Sequence, residues 1–287
     1  MKISVVISAF NQEKKIKNCL ESVKWADQII FIDLESTDKT AEIARQYTQH
    51  IFSHKNLGYV EPIRNFSISK AHGDWILLLD ADEEIPSSLA EKLQTLIKEK
   101  TPSNITHIKL PRKNIIFGKW IQHSGWWPDH LIRFFKKGTV HWLDTVHSIP
   151  EVTGQGRAFS GEQYAIIHHN YENITQFFHR NFENYAKLEA ETALKNGYIF
   201  SIKDIIRFPL REFLNRYFAR EGYKDGLHGL ILAILMGFYH FAIFAYIWES
   251  KKFTEVNENI IGSLKEELKK IKKEVKYWLY TKEIEQE

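Results

Sequence analysis

Hydrophobic and polar positions change period along the chain, and each change marks an element. "ISVVISAF" at 3–10 is an uncharged, largely β-branched run, as expected of a strand buried on both faces. Residues 12–25 follow with Ile16, Leu20 and Val23 at helical spacing. "QIIFID" at 28–33 reads as a second strand, and "STDKTAEIARQY" reads as a helix with Ser36 and Asp38 as possible caps. "HIFSH" is a third, short strand. Residues 61–73 read as a helix with Pro62 in its first turn and Gly73 past its end. "DWILLLD" is the fourth strand, and 87–100 is an amphipathic helix capped by serine. Such alternation predicts βαβ units, hence an α/β fold with a mostly parallel sheet and helices on both faces.

The alternation stops after residue 100. Residues 105–168 hold short β-like pieces, and seven of the thirteen histidines fall between 123 and 179. From 171 onward helical patterns dominate. Residues 227–248 contain no charged side chain and are just long enough to cross a bilayer as a helix. His228, His240, Gly229 and Gly237 argue against a span, so the expectation is a helix buried in protein or inserted shallowly. Residues 258–287 carry one apolar stripe, Ile261, Leu264, Leu268, Ile271, Val275 and Trp278, which either packs on the body of the protein or pairs as a coiled coil. Packing is the expectation. Arg211, Arg216 and Arg220 fall roughly on one side of a helix expected to start near Pro209, either as a solvated face or as a basic face for lipid headgroups or a phosphorylated acceptor.

Composition narrows the class. Of 287 residues 44% are hydrophobic, which suffices for a packed core. Net charge is +3, too balanced to imply nucleic acid. Cys19 is the single cysteine, so an intrachain disulfide is ruled out and a reducing compartment fits. "MKISVVISAF" has the start of a signal peptide, but it is too short and lacks a cleavage site, so a cytoplasmic protein is expected.

Candidate chemistry gathers in "WILLLDADEEI" at 75–85, where a buried-looking strand runs into Asp80, Asp82, Glu83 and Glu84. Ligands of parallel α/β sheets bind beyond the carboxyl ends of the strands, where Asp33, Asp80 and Asp82 are expected. On an extended chain Asp80 and Asp82 point to the same side. Such a pair suits a hard divalent cation, Mg²⁺ or Mn²⁺, able to neutralise a departing diphosphate. The competing reading is that these acids merely start the helix at Ser87.

Context favours the first. "SAFNQEKKI" after strand one, "FIDLESTDKT" after strand two and "RNFSISKAHGDWILLLDADEE" around strand four resemble glycosyltransferase family 2 in order and spacing, over about the first 150 residues. The resemblance implies a GT-A fold, inverting sugar transfer and a D-x-D metal motif. It implies that Asp80 contacts the ribose or its phosphate and that Asp82 ligates the metal. Ala9, Asn11, Glu13, Asp33 and Arg64 match nucleotide-sugar positions, although Glu35 is bulkier than the family's usual residue. An inverting transfer needs a carboxylate base. In "GWWPDHLIRFFKKG" the family commonly has an acidic pair, then a short apolar run and an arginine; here Pro128 replaces the first acid and leaves Asp129 as candidate base. Asp129 could instead cap a helix. Trp126 and Trp127 are candidates to stack on the acceptor sugar. His147 is the candidate second metal or diphosphate ligand, followed by Ser148 where related sequences often have glutamate; Glu151 or Asp144 could stand in. Arg-x-Gly-aromatic-x-Asp-Gly at 220–226, before an apolar helix, resembles bacterial members that build lipopolysaccharide core.

The resulting expectation has two parts. Residues 1–170 form a nucleotide-sugar and catalytic domain, and 171–287 form a helical region for acceptor and membrane association. The donor is a nucleoside-diphosphate sugar, with UDP-glucose favoured, and the acceptor a lipopolysaccharide-core or other lipid-linked glycan. The cofactor is Mn²⁺ or Mg²⁺, and the location is the inner membrane surface, peripheral or monotopic. Two other classes compete: a non-catalytic glycan-binding module, and a sugar nucleotidyltransferase. The latter chemistry usually brings a Gly-rich loop after strand one, which "SAFNQEKK" lacks.

Overall fold

The structure is a computed structural model that describes residues 1–99, 104–143, 149–255 and 259–284. The chain divides into two compact units: residues 1–115 with 128–170, and residues 116–127 with 171–287.

The first unit opens with β1 (Ile3–Ala9), α1 (Ile16–Glu21), β2 (Gln28–Asp33), α2 (Thr40–Ala44), β3 (Ile51–Ser53), α3 (Glu61–Ser69), β4 (Trp75–Asp80), β5 (Glu83–Glu84) and α4 (Ser87–Lys98). There follow β6 (Ile105–Ile116), β8 (Asp129–Lys136), β9 (Val140–His141), β10 (Glu151–Val152), β11 (Gln155–Ala158) and β12 (Ile166–Tyr171); β7 (Lys119–Trp120), between β6 and β8 in the chain, is counted with the second unit. All four strands expected in the first hundred residues form, and they pair in parallel in the order β3-β2-β1-β4. β8 then pairs antiparallel with β4, followed by β6, β12 and β5. The antiparallel half was not legible as a sheet, because its strands carry polar residues at buried positions.

Alternation on the strands builds two cores. Val5, Ile7, Phe31, Trp75, Leu77 and Leu79 pack with α1 and α4, while Val6, Ile30, Ile32, Ile76 and Leu78 pack with α3. Each buried Val, Leu or Ile contributes about 1.5–3 kcal/mol, so the central strands are fixed and their carboxyl ends become a rigid platform.

The second unit is helical: α5 (Ile174–Phe178), α6 (Ala186–Lys195), α7 (Ile202–Leu214), α8 (Leu227–Ser250) and α9 (Ile260–Ile284). Wider turns, with one extra residue per hydrogen-bonded ring, extend α5 over His179–Tyr185 and α7 over Asn215–Ala219. α7 begins well before Pro209 and runs through it, contrary to the expected start there. A proline removes one helical hydrogen bond, but Gly237 of α8 lies against this turn, where an added Cβ would come within 2.9 Å of the Pro209 carbonyl oxygen. The glycine therefore permits close packing of α8 at the irregular turn. Leu232, Met236, Tyr239, Ile243 and Ile247 of α8 are buried with Phe177, Ala186 and Ala190. Among the described residues, α8 is the one helix long and apolar enough to cross a membrane, with mean hydropathy 2.2 over 18 residues.

Candidate active site

Strand register places the first predicted residues. Ala9 stands beside Asp33, and Ser8 beside Asp80, so β1, β2 and β4 end at one level. Asn11 adopts φ 50°, a left-handed conformation that asparagine tolerates. Its Oδ1 accepts the Thr37 N–H at 2.8 Å. Glu13 Oε2 accepts the Lys39 N–H at 3.2 Å, and Asp33 Oδ1 accepts the Ser36 N–H at 3.3 Å. The first two bonds lace the loop after β1 to the loop after β2, and the third ties the β2 loop back to the end of its own strand. Asn11, Glu13 and Asp33 thus hold backbone, and they rim the strand ends.

Each of the four clustered acids has a basic partner. Asp80 pairs with Arg133 and, at 3.4 Å, with Arg64. Glu83 is fully buried between Arg133 at 2.8 Å and Arg112 at 3.2 Å, and it accepts the Asp80 N–H at 2.9 Å. Glu84 meets His169 at 2.8 Å. Asp82 faces His168 Nε2 at 3.6 Å. Burial by itself would raise the Asp80 carboxyl, but Arg133 and Arg64 outweigh it and hold it well below the usual carboxylate range. Burial lowers the Arg64 guanidinium, whereas at Arg133 the charges of Asp80 and Glu83 overcome burial and raise it.

Asp129 lies directly opposite Arg112 in the β6–β8 pairing, which explains why the two meet. Arg112 donates to Asp129 Oδ2 from Nε at 2.9 Å and from Nη2 at 2.6 Å. Asn114 Nδ2 donates to the same oxygen at 3.2 Å. Asp129 starts β8 and is no helix cap. The fully buried Asn114 also contacts His168 Nδ1 through Oδ1 at 2.6 Å. A continuous ladder results: Arg64, Asp80, Arg133, Glu83, Arg112, Asp129, Asn114, His168, Asp82.

Sequence reasoning missed His168, Asn114, Arg112 and the role of Arg133. The histidine doublet at 168–169 was visible only as part of a wider cluster, and its register opposite Glu83 depends on long-range pairing of β12 with β5. Arg133 had a signal, a charge in the apolar run "HLIRFF". Asn114 had none. His147, Asp144 and Ser148 lie outside the described residues. Trp126 and Trp127 belong to the second unit, where Arg216 stacks over Trp126 at 5.3 Å and Trp127 meets Trp120 edge-on at 5.3 Å. Arg216 also binds Glu212 at 2.5 Å and the Ser124 carbonyl at 2.9 Å, and Arg211 binds Glu274 at 3.1 Å. The wide turn at 215–219 breaks the helical phase on which the expected basic face depended.

The 220–226 motif is a clamp on the tryptophan loop. Asp225 is buried and accepts the backbone N–H groups of Gln122 and His123 at 3.3 and 2.9 Å. Gly222 leaves room for Ser124 Oγ, which a Cβ would approach to 2.2 Å.

Asp82 and His168 are the pair that could hold a divalent cation. Among the described residues no group of three or more His, Cys, Asp or Glu converges as a metal cluster. Two protein ligands fit Mg²⁺ or Mn²⁺, which commonly take the rest of their shell from water and phosphate oxygens. The ladder adds a second fit. Asp80, Asp82, Glu83 and Asp129 face the guanidiniums of Arg64, Arg112 and Arg133, which leaves an excess of negative charge when His168 is neutral.

The model of the family described as "Glycosyl transferase family 2" matches residues 4–161. The chain belongs to glycosyl transferase family 2. An uncharacterized glycosyltransferase of Rickettsia typhi is 26% identical over 273 residues, covering 91% of each chain. The lipopolysaccharide core biosynthesis glycosyltransferase LpsC of Rhizobium meliloti is 22% identical, covering 86% of this chain and 92% of its own. Among solved structures, S. aureus TarS 1–349 in complex with UDP is similar with TM-score 0.46 at 15% identity, covering 90% of this chain and 93% of that one. As a family 2 member the protein is a glycosyltransferase, and its mostly parallel sheet with flanking helices is the expected GT-A architecture, followed by a helical region with one apolar helix.

Proposed function

We propose that this glycosyltransferase moves a hexose, glucose in the favoured reading, from a UDP-sugar to a lipopolysaccharide-core or other lipid-linked acceptor, with inversion. The observation that carries the reading is the ladder that joins a carboxylate–imidazole pair, Asp82 and His168, to a second carboxylate, Asp129, held from one side only. The similarity to a relative named for lipopolysaccharide core biosynthesis supports the acceptor class, and the exposed apolar face of α8 supports work at a membrane surface.

The geometry supports the following roles. Ala9, Asn11, Glu13 and Asp33 rim the strand ends where a nucleoside would lie, and Arg64 and Asp80 border the phosphate side. Asp82 and His168 would hold Mn²⁺ or Mg²⁺, which supplies positive charge against the leaving diphosphate. The bonds that Arg112 and Asn114 make to Asp129 all fall on Oδ2, which leaves Oδ1 to take the proton of the attacking hydroxyl. Proton removal makes that oxygen the better nucleophile as it displaces the diphosphate in line.

The test is calorimetric titration of UDP, GDP, UDP-glucose, UDP-galactose and GDP-mannose with and without Mn²⁺, on wild type and Asp82→Ala. Metal-dependent binding of one nucleotide class, lost in the variant, is expected. No binding of any of them with metal present would sink the reading.

A further inference from the structure

The side-chain amide of Asn114 lies between two groups with opposite demands, Asp129 and His168. An ionised carboxylate can only accept hydrogen bonds. Asp129 Oδ2 therefore requires the NH₂ end of Asn114, as observed at 3.2 Å. That requirement leaves no choice at the other end. Oδ1 of Asn114 must face His168 Nδ1, 2.6 Å away, and an amide oxygen can only accept. The imidazole proton is thereby assigned to Nδ1. In the neutral imidazole, the form that can ligate a metal, Nε2 is then left with its lone pair, directed at Asp82 Oδ2 at 3.6 Å. Two electron-pair donors facing each other at that distance repel unless a cation lies between them. Asn114 and His168 are both almost fully buried, so water competes poorly for either bond.

We infer that Asn114 is a positioning residue that sets two things through one amide: the imidazole tautomer that lets His168 act as a ligand, and the orientation of Asp129. The inference rests on the roles proposed above for Asp82, His168 and Asp129. It makes the donor side and the acceptor side of the reaction share one buried side chain. Hydrogen bonds that fix a ligand histidine by its other nitrogen typically change metal affinity by about 10- to 100-fold when removed.

The two functions separate by substitution. In Asn114→Asp the carboxylate still accepts from His168 Nδ1, but it cannot donate to Asp129 and sets a like charge beside it. In Asn114→Leu both bonds are lost. Three readouts on the full chain are compared: Mn²⁺-dependent UDP binding by calorimetry, the histidine tautomer from ¹⁵N shifts without metal, and turnover of UDP-glucose. The Asp variant is expected to keep the Nδ1–H tautomer and to bind UDP with Mn²⁺ within about threefold of wild type, while turnover falls by about 10-fold or more. The Leu variant is expected to lose the tautomer preference and about 10-fold or more of the metal-dependent affinity as well.

Wild-type affinity and tautomer in Asn114→Leu would overturn the inference. So would an equal loss of affinity and turnover in both variants, which is what a purely structural role produces. Should the Leu variant fail to fold, the near-isosteric Asp variant decides alone, through the split between affinity and turnover. Absence of Mn²⁺-dependent UDP binding in wild type would instead overturn the metal reading of Asp82 and His168, and this inference with it.

Discussion

Arg112 grips Asp129 with two nitrogens on a single carboxylate oxygen and reaches Glu83 with a third. The planar fork explains why this position is an arginine: a lysine offers one point of charge and cannot hold two carboxylates in fixed directions. Arg112→Lys is expected to lower turnover by about 10-fold or more while leaving UDP affinity near wild type, because Asp129 loses its orientation and the nucleotide side does not. Asp129→Asn is expected to lower it by about 10²- to 10⁴-fold. Steady-state kinetics beside calorimetry read both, and an Asp129→Asn enzyme with full turnover would remove this residue from the role of base.

The Asp82–His168 pair makes a second claim. Asp82→Ala and His168→Leu should each weaken UDP binding in the presence of Mn²⁺ and leave the weak metal-free binding unchanged. Retained Mn²⁺ stimulation in His168→Leu would return the role of second ligand to another residue, His147 first among them.

Arg133 bears on stability. It is almost fully buried between Asp80 and Glu83, so Arg133→Met strands two carboxylates without their main partner. Breaking such a buried network from one side destabilises by about 3–5 kcal/mol. The pH dependence has a definite sign. The folded-state value of Asp80 is depressed, so its contribution is complete above the unfolded value of about pH 4 and is lost as pH falls through the depressed folded value. Urea midpoints should therefore decline on acidification below about pH 4 in wild type and less steeply in Arg133→Met. Parallel curves for the two proteins would deny Arg133 its part in the depression.

On α8, Leu227, Ile234, Phe238, Phe241 and Trp248 are exposed at spacings of seven, four, three and seven, which puts them on one stripe. The double change Phe238→Glu and Phe241→Glu is expected to reduce sedimentation with phosphatidylglycerol vesicles several-fold without altering UDP affinity. Unchanged sedimentation would assign the lipid contact elsewhere.

Periodic elements were legible in sequence, and long-range register was not. β1, β2 and β4 announce themselves because strands buried on both faces need apolar residues at every position. Asp80 and Asp82 were readable from the abrupt switch to acids at a strand end. His168 and Asn114 were not, since each acts through a partner more than fifty residues away, and the register that joins them is set by tertiary packing. On α9, Ile271 of the expected stripe is buried while Ile261 and Leu268 are exposed, because α9 meets the rest of its unit chiefly through α7. Periodicity marks an apolar side of a helix and leaves open how much of it finds a partner.

Cys19 lies on α1 with its Sγ 3.6 Å from the carbonyl oxygen of Asp80, fully buried. Burial above all, and then the charges of Glu83, Asp82, Asp80 and Glu84, push its thiol up. Thiolate, the species that alkylating reagents consume, is therefore almost absent in the closed state. Iodoacetamide should label the native chain slowly, at a rate set by separation of α1 from the end of β4, and more slowly again with UDP and Mn²⁺ bound. Labelling as fast as a free thiol would contradict the burial. The chain's one thiol can thus serve as a clock for how often α1 and the carboxyl end of β4 come apart.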